Sequence, residues 1–259
     1  MSFPEVNPPP PETSGPPFTT PFSPPLSTGL DPGYGLLFKI GAWAALIMVA
    51  LFFAQLAAYV VWPHPTTVPG LFALFQKSKI QGFVGFDFLV AVDQILEIPI
   101  ALALFIALRR LNPSLMILFL ALSFVGIVCF ILARPGFEML NLSTRYAAAK
   151  TEAERGSLLA AGETMFALFT GTGFQVSYVL TSIAQLLMSV VMLGSREFGR
   201  LAAWLGIFTA VVGFGLYIPV VGIPLAVLSA LALQVFNILI ARALFGLARQ
   251  QSGPDVPRA

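Results

Sequence analysis

The sequence predicts an all-α integral membrane protein, a polytopic bundle of six transmembrane helices behind a disordered, Pro-rich N-terminal tail. Three observations carry this. Hydrophobic residues fill 57% of the 259 positions and charged residues only 10%, with a mean hydropathy of +0.87. Soluble chains carry about 25% charged residues, so too little charge is present to cover a water-exposed globule of this size. Apolar runs near the roughly 20 residues that cross a hydrocarbon core recur six times between 36 and 245, set apart by short polar or prolyl breaks.

The elements follow in order. Residues 1–35 hold 11 of the 21 prolines, including Pro8-Pro9-Pro10-Pro11, with no sustained apolar period, and read as a disordered or polyproline-like cytoplasmic tail. The six-span domain is expected over 36–249. Its first span, about 40–62, has Gln55 as its only strongly polar side chain and stops at Trp62-Pro63-His64-Pro65. Residues 71–86 mix Leu71, Phe72, Leu74 and Phe75 with Lys77 and Lys79, which suits a short helix in the headgroup plane. A second span over 88–108 ends on Arg109-Arg110, and Asn112-Pro113 turns the chain into a charge-free third span, 115–132.

Residues 134–164 form the one long polar insertion, its four basic and four acidic side chains balancing. Strong helix formers at 146–150 and 160–161, and the capping-box spacing of Thr151 and Glu154, predict one or two solvated helices there. The fourth span covers 172–193 and is followed by a short basic loop. From 201 to 241 no residue is charged, too long for one span, and Pro219, Gly222 and Pro224 divide it into a fifth and a sixth. A short tail, 250–259, closes the chain.

Basic residues in short loops set orientation. Arg109, Arg110, Arg196, Arg200, Arg242 and Arg249 share one side against Lys77 and Lys79 opposite, which predicts a multi-pass cell-membrane protein with both termini cytoplasmic and the 134–164 insertion outside.

Only the second span carries carboxylates in its interior. Asp93 and Glu97 are four residues apart and so share a helix face, with Gln94 beside them. A carboxylate at the bilayer centre costs about 2.5–3.5 kcal/mol on insertion scales, so both should face protein or water. Pro99 withholds a hydrogen bond from the Ile95 carbonyl, which is expected to leave an acceptor between the two acids. Such a group suits a proton or a hard cation. The competing expectation is structural: Asp93 pairs with Arg134 at the outer end of the third span and fixes the hairpin.

Other chemistry is thinly supported. A net charge of +2 with scattered basic residues gives no concentrated cationic face for nucleic acid. Cys129, the only cysteine, lies in an apolar run and reads as a small core residue. His64 is the only histidine, so no metal site or cofactor is expected. Gly171-Thr172-Gly173 lacks the Lys of a phosphate loop, and no Gly-x-Ser-x-Gly, His-Glu-x-x-His or Cys-x-x-Cys occurs, so no enzyme is indicated. The stripe Ala202, Gly206, Ala210 permits close helix contact, chiefly within the bundle.

The stretches Tyr146-Ala-Ala-Ala-Lys-Thr-Glu-Ala-Glu-Arg155, Gly171-Thr-Gly-Phe174 and Ser195-Arg-Glu-Phe-Gly-Arg-Leu-Ala-Ala-Trp-Leu-Gly206 resemble the domain of unknown function 4386 family. The resemblance covers roughly 34–249 and implies a multi-span bacterial inner-membrane protein, with no activity or site residue to carry over. The residues favour a non-enzymatic protein that binds a membrane partner or senses the envelope. The alternative is a small ion- or proton-coupled transporter using Asp93 and Glu97. The sequence leaves the oligomeric state open.

Overall fold

A computed structural model describes residues 33–62 and 65–251, so nearly all of the expected tail, His64 and the last eight residues lie outside the described residues. Regular structure among the described residues is entirely helical. Six helices are long and apolar enough to cross a membrane. They are α1 (Gly35–Val61), α4 (Phe88–Leu108), α5 (Pro113–Leu132), α8 (Thr172–Met192), α9 (Gly199–Gly213, continued by a 3-10 turn at Phe214–Tyr217) and α10 (Gly222–Gln251). Four shorter helices, α2 (Val68–Lys77), α3 (Lys79–Gly85), α6 (Gly136–Ala148) and α7 (Glu152–Phe169), fill two connections on one side.

Local chemistry sets the boundaries. The Asn112 side chain accepts from Leu115 N at 3.1 Å ahead of Pro113, joining a cap to the residue that best tolerates a missing N–H at a helix start. Thr151 Oγ1 accepts from Glu154 N at 3.2 Å, and Glu154 reaches back to Lys150 N at 3.1 Å, so the polar insertion resolves into two helices at the expected cap. Between α9 and α10 the chain turns at Ile218-Pro219-Val220, with Val220 in the left-handed region at φ 70°.

The six long helices close a ring. α1 packs on α4 and α10, α4 on α5, α5 on α8, α8 on α9, and α9 on α10. Each sends an apolar side chain outward, Ile47, Ile95, Val125, Val190, Val211 and Val235 among them, all exposed as a lipid-facing wall requires. Small residues let backbones approach where polar groups cannot be spared. A Cβ on Gly126 would meet Thr181 Cγ2 at 2.6 Å across α5 and α8, and one on Gly206 would run into Ser189 and, at 3.0 Å, Phe236. The Ala202–Gly206–Ala210 stripe therefore packs within the bundle, between α8 and α10.

The helix expected in the headgroup plane is two helices, and its apolar face is covered by protein. Val68, Leu71, Phe72 and Phe75 of α2 form a buried core with Phe86 and with Met139 of α6, against which Tyr146, Phe166 and Phe169 pack. The partner for that face lies some 70 residues downstream, in the insertion, where local periodicity cannot see it. Ser143 Oγ donates to Phe72 O at 2.9 Å inside this cap, and Gln55 Nε2 donates to Val84 O at 3.1 Å, tying α1 to α3.

Candidate functional site

A partly open cavity of about 390 Å³ is lined by residues from all six spanning helices. Asp93 and Glu97 face it from α4, as their spacing on one helix face requires. They lie five and nine residues in from Phe88, or about 7.5 and 13.5 Å along a helix rising 1.5 Å per residue. Glu97 is thus close to the middle of the 21-residue helix.

Asp93 is 7% exposed, and its Oδ1 is buried without a hydrogen-bond partner. Gln94 Oε1 on α4, Gln185 Nε2 on α8 and Gln234 Oε1 on α10 are buried and unpartnered in the same way, and all three residues line the cavity. Buried polar groups in proteins are nearly always paired, and each orphan costs about 1–3 kcal/mol. With Arg134 Nε, five such atoms belong to residues that line this one cavity.

Arg134 is not the partner of Asp93. Its Nη2 lies 3.3 Å from Asp87 Oδ2, and its Nη1 donates to Phe169 O at 3.0 Å. The guanidinium carbon sits 4.0, 4.4 and 5.1 Å from the ring centroids of Phe130, Phe169 and Phe174. The expected pair fails on position along the helices: Arg134 follows the C-terminal end of α5, level with the start of α4, whereas Asp93 lies more than a turn farther along α4. Asp87, the residue immediately before α4, occupies the left-handed region at φ 55°, and its side chain makes no capping hydrogen bond to the helix. Burial pushes its carboxyl up from 3.8 to about 6, against the downward pull of Arg134. Both members also line the cavity.

The Pro99 expectation also needs correcting. Ile95 is 53% exposed on the lipid-facing side, roughly half a turn from both acids, so the carbonyl released by Pro99 does not lie between them. The unpartnered acceptors that share the cavity with Asp93 and Glu97 are Gln94 Oε1 of α4 and Gln234 Oε1 of α10.

The contributions of α8 and α10 were the part missed from the sequence. Ser177, Thr181 and Gln185 repeat every four residues on α8 and all line the cavity, a polar stripe in an apolar span that helical spacing alone could have exposed. Gln234 and Asn237 of α10 had no comparable pattern. Among the described residues, no group of three or more His, Cys, Asp or Glu side chains is arranged to hold a metal ion. Cys129 is half-buried on α5. Comparison with family models, with curated proteins and with solved structures found no match.

Proposed function

We propose that this chain is a small-cation or proton-coupled carrier of a bacterial cell membrane, with Asp93 and Glu97 as the cation-binding carboxylates. The supporting observation is their position: inside a ring of six helices, on a cavity whose wall carries further unpartnered amides. Two acids with no basic partner in an apolar bundle are costly unless a cation, a proton or water meets them. The charge asymmetry of the short loops supports a cytoplasmic location for both termini, with the Asp87–Arg134 end of the cavity outside.

The partner-binding or sensing reading would use the outer cap as its recognition surface. Much of that cap's apolar surface turns inward onto α2, although Phe137 and Ile80 stay exposed, and the unpartnered polar groups that favour a carrier lie in the cavity instead. The resemblance to the domain of unknown function 4386 family is compatible with either role.

Reconstitution of the full chain in lipid vesicles tests the proposal. A cation gradient, inorganic or organic, should drive flux that Asp93→Asn and Glu97→Gln abolish while the variants still purify as folded protein. Flux undiminished in both variants, or none from any cation including the proton, overturns it.

A further inference from the structure

We infer that the cavity selects a compact organic ammonium ion with an apolar body, held by charge at Asp93 and Glu97 and by aromatic walls around them. This rests on the cation-binding reading above and names its substrate class.

Four observations carry it. The volume of about 390 Å³ falls within the range of small-molecule sites and far exceeds what one dehydrated metal ion fills. The charged lining is lopsided: Asp87, Asp93 and Glu97 stand against Arg134 alone, and Arg134 is committed to Asp87. The two remaining acids therefore face the cavity without a resident cation. They come from a single helix, and among the described residues no His, Cys or third acid joins them in a group fit for a metal, whereas an ammonium needs only one or two carboxylates and a few acceptors. Gln234, 6% exposed with an unpartnered Oε1, supplies such an acceptor from across the ring.

The fourth observation is the wall itself. Phe52, Phe119, Tyr178 and Phe236 line the cavity, and a cation over a ring face is stabilised most when desolvated. The same cavity already shows this chemistry at its outer end, where the Arg134 guanidinium lies over Phe130, Phe169 and Phe174 beside the Asp87 carboxylate. An ammonium at Asp93 and Glu97 repeats, one level deeper, the recognition that the chain applies to its own arginine.

Binding to the purified full chain in detergent micelles provides the test, by calorimetry with 2-phenylethylammonium, its neutral analogue 2-phenylethanol, sodium and potassium. The ammonium should bind at least tenfold more tightly than the alcohol, and the preference should disappear in Asp93→Asn and Glu97→Gln. Phe52→Leu should weaken the ammonium severalfold with the acids intact, which keeps the test open if an acid variant fails to fold. Equal binding of alcohol and ammonium, or ammonium binding unchanged in the acid variants, overturns the inference. Asp93-dependent binding of sodium or potassium alone, or proton flux that no ammonium competes with, overturns the substrate class and leaves the carrier reading standing. Failure of every probe, together with absence of flux in vesicles, defeats both.

Discussion

Two acidic regions on one stretch of chain are treated oppositely by the fold. Asp87, just before α4, has an ionic partner: its carboxylate meets Arg134 at 3.3 Å, and the arginine is further held by Phe169 O and three aromatic rings. Asp93 and Glu97, about one and two-thirds and two and three-quarters turns farther along, line a cavity whose wall holds acceptors and aromatic rings and, among the described residues, no cation besides Arg134. The first arrangement is what a protein builds to hold itself together. The second sacrifices stability, and a fold keeps such a group where something outside the chain completes it.

The contrast predicts opposite responses to substitution. The largest effect is expected for Arg134→Met, which strands Asp87 in a buried site and removes the clamp between the ring and its cap. Loss of one partner of a buried pair costs about 3–5 kcal/mol, so thermal unfolding in detergent should shift sharply downward. A shift near zero would make the pair ornamental and dissolve the comparison.

Next comes the pH dependence of Asp87. Its carboxyl lies near 6 when folded against 3.8 ordinarily, so the folded chain binds this proton more tightly. Stability contributed by the group is therefore full below about 4 and is lost as pH rises through about 6. The whole change amounts to about 3 kcal/mol at 1.36 kcal/mol per unit. Asp87→Asn should flatten that slope between pH 4 and 6, measured as the difference in unfolding midpoint from the parent protein. An identical slope in the variant would assign the dependence to other groups.

Asp93→Asn should behave in the reverse way, leaving the unfolding temperature unchanged or raising it while abolishing cation binding. Replacing an unpartnered buried charge with a neutral isostere removes a desolvation cost and breaks no pair. Destabilisation comparable to Arg134→Met would show that Asp93 is structural after all. The smallest effect belongs to Gln234→Leu: stability within about 1 kcal/mol of the parent, with cation affinity reduced severalfold. An unaltered affinity would remove α10 from the site.

How much of this was legible in the sequence follows from the range of the interactions involved. Span length and the prolyl and basic breaks are local, and the six helices fall where those signals put them, down to the Thr151 cap and the turn at Pro219. The shared face of Asp93 and Glu97 is local too, since it needs only helical geometry. Closure of the ring by α1 against α10 depends on residues nearly 200 positions apart and leaves no trace in either helix alone. The choice of Asp87 over Asp93 as the partner of Arg134 was a matter of about one and two-thirds helical turns along the chain, which charge and spacing do not encode. The covering of α2 by α6 was hidden for the same reason: an amphipathic face states that it needs an apolar neighbour, without saying whether that neighbour is lipid or protein.

The central claim is that water and a cation reach Asp93 and Glu97 inside the ring, and cysteine accessibility tests it most directly. Cys129→Ser removes the native thiol, and a cysteine is then placed either at Ser182, which lines the cavity, or at Ile95, which faces outward. A small neutral maleimide reacts with thiolate, which forms where water is present. Ser182→Cys should be labelled in membranes and Ile95→Cys should not. In addition, 2-phenylethylammonium should slow labelling at 182 only while Asp93 and Glu97 are intact. An inert cysteine at 182, or labelling indifferent to the cation in the presence of both acids, would contradict that claim.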